Sequence, residues 1–198
     1  MFVTFEGLDG SGKSTQAQLL AEALEADGRD VVLTREPGGT ELGERIRELV
    51  LGHGDVAPWA EAALFAAARA QLVEEVIAPA LERGAHVVCD RYLDSSLAYQ
   101  GIARGLGFER VLELNLHAIR GVLPDRTYLL LIDPAESAKR LRGESDRIES
   151  EDDEFRARVD DAYRQLADAF PQRIVTFDGA RRPAEIAREI LDELRQRS

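Results

Sequence analysis

Near the start of the chain, Gly7-Leu8-Asp9-Gly10-Ser11-Gly12-Lys13-Ser14 has the residue types and spacing of a phosphate-binding loop. It meets the pattern G-x-x-x-x-G-K-[ST] at every fixed position. Glycines allow a tight turn whose backbone N–H groups point inward at phosphate oxygens. Lys13 can then reach the β- and γ-phosphates of a bound ATP, and the Ser14 hydroxyl can ligate Mg²⁺. The helix expected to follow adds its positive N-terminal end. Gly7, Gly10, Ser11, Gly12, Lys13, Ser14 and Thr15 are therefore the ATP-binding candidates. Asp9 is out of place among phosphates. A carboxylate there is unfavourable unless it faces Mg²⁺ or an acceptor hydroxyl, or turns out to solvent.

A second acidic position closes the apolar run Val87-Val88-Cys89. Asp90 stands where an aspartate that holds Mg²⁺ would stand, and Arg91 follows it directly. The end of a strand is also where open α/β sheets bind their ligands. A phosphate loop alone does not separate switches, motors and kinases. No N-K-x-D guanine motif is present, and no D-x-x-G follows the second acidic strand, which disfavours a GTP-dependent switch. The combination points to a phosphotransferase.

Holding these residues together requires alternating strands and helices. Phe2–Glu6, Asp30–Arg35, Ala85–Asp90, Thr127–Asp133 and Arg173–Phe177 read as strands. Helical periodicity lies near Lys13–Ala26, Glu41–Leu51, Pro58–Arg83, Ser95–Gly101, Glu109–Arg120, Ala135–Leu141, Asp153–Phe170 and Pro183–Arg195. Pro58 and Pro183 suit first turns, whereas Pro79 should kink or divide its helix. Continuous apolar strands such as Tyr128-Leu129-Leu130-Leu131-Ile132 belong in a parallel sheet covered on both faces. One α/β domain over 1–198 is expected. Polar residues 143–153, acidic around Arg147, read either as a solvated loop or as a mobile lid.

Composition narrows the partners. Net charge is −12, and no basic face for nucleic acid is visible. No apolar run is long enough to span a bilayer, and the N-terminus lacks the basic flank of an export signal. The lone Cys89 suits a reducing cytoplasm, and its apolar surroundings read as core. His53, His86 and His117 lack ligand spacing, so no zinc site is expected.

Further motifs carry a family resemblance: Thr34-Arg35-Glu36-Pro37-Gly38-Gly39-Thr40, Phe65-Ala66-Ala67-Ala68-Arg69, Asp90-Arg91-Tyr92-Leu93-Asp94-Ser95-Ser96-Leu97-Ala98-Tyr99-Gln100-Gly101, Pro124-Asp125-Arg126-Thr127 and Asp146-Arg147-Ile148-Glu149. In this order and at these spacings the chain resembles thymidylate kinases over essentially its whole length. The resemblance implies a P-loop nucleoside-monophosphate-kinase fold: five parallel strands, helices on both faces and a small lid, here about 140–153. It implies phosphoryl transfer from ATP to dTMP for dTTP synthesis, with Mg²⁺, in a cytoplasmic homodimer. It implies that Phe65 stacks on thymine and Arg69 donates to its O4, that Ser96 and Gln100 reach the base edge, and that Tyr99 packs where a 2′-OH would sit. Arg91 clamps the acceptor phosphate, with Arg47, Arg35 and Glu36 beside it. Asp9 binds the 3′-OH or the metal shell, and Asp90 joins Ser14 at the metal. Certain branches carry an arginine within the phosphate loop. This chain has none, so the basic residues are expected in the lid, as Arg140, Arg142 and Arg147, with Arg142 and Arg147 catalytic and Arg140 on ATP. The loop Asp178-Gly179-Ala180-Arg181 is the expected adenine neighbour.

Overall fold

The computed structural model describes residues 1–52, 54–141 and 146–196, so His53 and Arg142 lie outside the described residues. Five strands form one parallel sheet: β1 (Phe2–Gly7), β2 (Val31–Arg35), β3 (His86–Asp90), β4 (Arg126–Leu131) and β5 (Ile174–Asp178), in the order β2-β3-β1-β4-β5. β1 lies at the centre of the sheet, and all its residues are buried, Thr4 and Glu6 among them. It pairs with β3 through Phe5↔Asp90 and with β4 through Gly7↔Leu130. That register places the phosphate loop and the Asp90-Arg91 pair side by side at the C-terminal edge of the sheet.

Helices cover both faces. On one side α1 (Lys13–Ala26) and α9 (Pro183–Arg195) bury Leu20, Leu24, Ile186 and Ile190 against Val3, Phe5 and Tyr128. On the other, α3 (Pro58–Leu72), α6 (Phe108–Ile119) and α8 (Asp153–Ala169) close over Phe2, Val87, Cys89 and Leu129. α2 (Glu41–Leu51) starts at Thr40, whose hydroxyl accepts from the Gly43 N–H at 3.0 Å, and this cap aims the helix so that Arg47 reaches the cleft.

The expected Pro58–Arg83 helix is divided, by a π-helical stretch ahead of Pro79 rather than at the proline itself, and the chain stays helical from Pro58 to Glu82. A π-helical stretch, Val73–Ile77, links α3 to α4 (Ala78–Glu82), with the Ala78 N–H donating to the Val73 carbonyl. The wider turn absorbs a residue just before Pro79, which cannot donate to its own preceding turn, so the path continues. A second correction falls on Ser95–Gly101. It is a short helix, α5 (Leu93–Ser96), that runs into a π-helical stretch Leu97–Ala103. α7 (Pro134–Arg140) follows β4 and leads towards the lid.

Candidate active site

The phosphate loop is shaped by close approach. A Cβ on Gly7 would lie 2.3 Å from the Leu130 carbonyl oxygen, and Gly12 adopts φ +99° at the entrance to α1. Lys13 is only 5% exposed, and its Nζ donates to the Leu8 carbonyl at 2.8 Å. Burial and the nearby Arg91 pull its pKa down, with Asp9 opposing them. Ser11 Oγ is buried without a hydrogen-bond partner, Thr15 is exposed on the first turn, and Gly10 is spanned by Arg140, whose Nη1 donates to the Gly179 carbonyl at 3.0 Å. Arg140 thus joins the loop to the segment after β5 that was expected beside adenine.

Asp9 does not point into bulk water. Its carboxylate is 2.6 Å from Arg91 and 3.6 Å from Lys13 Nζ. Burial pushes its pKa up, but Arg91 and Lys13 outweigh that and hold it well below the usual carboxylate range. Arg91 itself has φ +70°, a conformation that costs a non-glycine residue roughly 1–3 kcal/mol. The surroundings enforce it. The Arg91 N–H donates to Phe5 O at 2.9 Å, and the guanidinium donates to Ser95 Oγ at 3.0 Å and Tyr163 Oη at 3.2 Å. Beneath lies Glu6, fully buried, accepting from Ser95 Oγ at 2.6 Å and Tyr163 Oη at 3.0 Å. Burial, aided by Asp94, raises Glu6 to about 7 against the attraction of Arg91.

Ser14 Oγ donates to Asp90 Oδ2, so the two expected metal residues touch. Asp90 Oδ1 is buried with no hydrogen-bond partner. An unpaired buried carboxylate oxygen beside a hydroxyl fits a hard cation that keeps several waters and phosphate oxygens in its shell. Among the described residues no group of three or more His, Cys, Asp or Glu side chains could form a metal cage.

Next to the loop lies a partly enclosed cleft of about 110 Å³, with the half-buried Phe65 in its wall beside Ser96, Tyr99 and Gln100. The cleft around Lys13, Ser14 and Asp90 adjoins it: Asp9, Glu36, Arg47, Arg91 and Glu149 line both. Arg47 donates to the Pro37 carbonyl at 3.1 Å, across the cis Glu36–Pro37 segment. Arg35 is turned outward to Glu44, at 3.0 Å, although it still edges the loop-side cleft.

Two expected residues behave differently. Arg69 was expected to offer a free donor to a base. Instead it is 1% exposed and all five of its N–H groups are engaged: Nε at 2.8 Å and Nη2 on Glu36, Nη2 on Tyr92 O, and Nη1 on Ser96 Oγ and Asn115 Oδ1. Its guanidinium is the floor of the cleft rather than an open hand. Arg147 was expected near the transferred phosphoryl group. It bonds instead to Glu61 at 2.5 Å and to the Val50 carbonyl at 3.0 Å, on the far rim of the acceptor-side cleft. The reason is electrostatic: Glu61 is buried on α3 and needs cations.

Sequence reasoning missed Glu6, Glu61 and Asn115. Each had a signal: a polar residue inside an apolar run, at Val3-Thr4-Phe5-Glu6, Trp59-Ala60-Glu61-Ala62-Ala63-Leu64 and Leu112-Glu113-Leu114-Asn115-Leu116. It also missed Glu149, which closes both clefts from the lid side.

The family model described as thymidylate kinase matches residues 5–190. A thymidylate kinase of Bifidobacterium longum (strain NCC 2705) is 54% identical over 186 residues, covering 91% of this chain and 90% of the relative. One from Leifsonia xyli is 55% identical over 194 residues, covering 96% and 92%. The crystal structure of thymidylate kinase from Ehrlichia chaffeensis superposes with a TM-score of 0.81 at 34% identity, covering 98% of both chains.

Proposed function

The chain belongs to the thymidylate kinase family, and from that premise we propose how its residues divide the work. The reaction is transfer of the γ-phosphoryl group of ATP to dTMP, giving dTDP and ADP for dTTP synthesis. One observation carries the assignment of the parts: the loop-side cleft and the enclosed cleft meet along Asp9, Arg91 and Arg47. ATP phosphates lie on the loop, dTMP lies in the enclosed cleft, and the bond-making oxygen lies at the junction.

The acceptor oxygen of a nucleoside monophosphate is already ionised at neutral pH, so no general base is needed. Alignment and neutralisation of charge do the work. Lys13 faces the β- and γ-phosphates. Ser14 and Asp90 would hold Mg²⁺, which would supply positive charge to the phosphate oxygens. Arg91, locked in place by Phe5, Ser95 and Tyr163, presents its guanidinium to the acceptor phosphate, with Arg47 and Glu36 beside it. Asp9 takes the 3′-OH side, and Tyr99 packs against the deoxyribose. Arg140 serves the ATP side of the loop. Arg142 remains the lid cation assigned to the transferred group. Phe65 stacks on thymine. The Ser96 hydroxyl accepts from Arg69, so its own proton is free to donate to thymine O4.

This pocket ranks acceptors as dTMP, then dUMP, then dCMP. Uracil lacks only the methyl, which a close-fitting pocket rejects by about 1–3 kcal/mol, whereas cytosine reverses the donor and acceptor at the Watson–Crick edge. ADP formation from Mg-ATP with each monophosphate in turn measures the order. Preference for dCMP or UMP would sink the pocket assignment.

We also propose a cytoplasmic homodimer that treats the described chain as one kinase unit. Exposed apolar side chains on neighbouring helices support dimerisation, among them Leu49 at 61% and Trp59 at 45% exposed. Light scattering at micromolar concentration should give twice the 21.9 kDa chain mass, and a monomer mass refutes it.

A further inference from the structure

Glu61 sits on α3, 1% exposed, where an unpaired carboxylate would be costly. Three side chains from two other segments converge on it. Gln100 Nε2 donates to Oε1 at 2.8 Å, Arg104 donates to both oxygens at 3.2 Å, and Arg147 approaches Oε2 to 2.5 Å. Arg104 continues to Glu151 at 2.6 Å and lies over the Phe155 ring, 4.6 Å from its centroid. The Arg147 backbone N–H donates to the Leu51 carbonyl at 3.2 Å. Between Arg147 and Glu151, Ile148 and Glu149 form part of the wall of the enclosed cleft. One buried carboxylate therefore joins a cleft-lining glutamine to both ends of the segment that covers the cleft.

The chemistry of the contact fixes a polarity. Burial pushes the Glu61 carboxyl up, but hydrogen bonds from Gln100, Arg147 and Arg104 outweigh it and hold the group below its ordinary value. An ionised carboxylate only accepts, so Gln100 must turn its NH₂ towards Glu61. Its Oε1 is then left as an acceptor on the cleft side. A thymine ring carries a donor at N3; a cytosine ring carries an acceptor there. Discrimination at N3 is then set one residue away from the base, by the charge of Glu61.

We infer that Glu61 is a positioning residue for dTMP: it holds the Gln100 amide with its oxygen towards the base and fastens the covering segment through Arg147. This rests on the enclosed cleft being the dTMP site. It predicts that specificity and acceptor affinity respond to Glu61 while ATP binding does not.

The test compares Glu61→Gln, Arg147→Met and Phe65→Ala, each checked for folding by thermal melting. Glu61→Gln frees the Gln100 amide to turn over, so the ratio of kcat/KM for dTMP over dCMP should fall on the order of 10-fold or more, with the ATP KM within about twofold. Arg147→Met keeps the Gln100–Glu61 bond. It should raise the dTMP KM several-fold, on the scale of a lost charged hydrogen bond, and leave the dTMP:dCMP ratio unchanged. A Glu61→Gln enzyme with the wild-type ratio overturns the orienting role. If that variant does not fold, Arg147→Met still decides whether the carboxylate fastens the segment: an unchanged dTMP KM overturns that half. Phe65→Ala separates the premise from the inference. If it leaves the dTMP KM untouched, the cleft is not the dTMP site. If it raises the KM while Glu61→Gln keeps its ratio, only the inference about Glu61 fails.

Discussion

Lys13→Ala should give a folded protein whose phosphoryl transfer falls by on the order of 10²–10³-fold or more, the range seen when one preorganised charge-stabilising donor is removed. Folding should survive because Lys13 is not what holds the loop together. The turn is built by glycines at positive φ, and the Asp9 carboxylate keeps Arg91 at 2.6 Å when the lysine is gone. Burial already disfavours the charged lysine, so its removal also lifts a desolvation cost. Turnover should suffer because charge moves onto the bridging and γ-phosphate oxygens during transfer, and Lys13 is the loop's own cation. Arginine is no substitute: a planar guanidinium is bulkier than the compact ammonium that fits this site, where the residue is 5% exposed. Steady-state ADP formation with saturating dTMP, beside a thermal melt, measures both halves. A kcat within tenfold of the unaltered protein would remove Lys13 from the reaction path.

Such a variant also bears on how a chain of net charge −12 handles two polyanionic substrates. Cations are concentrated in and around the two clefts, and carboxylates hold them there. Asp9 grips Arg91, Glu36 grips Arg69, and Glu61 grips Arg104 and Arg147. Local fields from a few desolvated charges outweigh the global charge, which is screened over a distance of about 10 Å in ordinary salt.

That arrangement explains what the sequence could and could not reveal. The sheet was legible because buried parallel strands are continuous apolar runs, and the five expected strands match β1 to β5 to within two residues at each end. The phosphate loop was legible because glycine spacing dictates its backbone. Partners were not. Arg69, four residues after Phe65, reads as a base contact because both share a helical face. Only the fold reveals that Glu36, Ser96, Asn115 and Tyr92 have taken its donors. Arg147 reads as a free lid cation until Glu61 is known to be buried across from it. Both π-helical stretches were invisible to a 3.6-residue period, and one of them carries Tyr99 and Gln100.

Arg69→Ala should therefore act first on stability, lowering it by about 3–5 kcal/mol at neutral pH, the cost of leaving a buried charge without its partner. Glu36 is 5% exposed, its Oε2 is held by Arg69 Nε and Nη2, and its Oε1 has no partner. Burial already lifts the Glu36 carboxyl from 4.5 to about 7 against the pull of Arg69. A carboxyl with a raised folded pKa contributes stability that is fully present below its unfolded value of 4.5 and is lost as pH rises through about 7. Without Arg69 the folded value climbs further. The variant's deficit should then be smallest near pH 5, where Glu36 is neutral, and should widen towards pH 8. Unfolding in urea at both pH values measures this directly. Removing both partners together, as Glu36→Gln with Arg69→Met, should recover part of the loss, because neither change then strands a charge. A deficit below about 1 kcal/mol that is flat with pH, the size of a surface ion pair, would mean that the guanidinium is a dispensable base contact after all and not the floor on which Ser96 and the acceptor cleft rest.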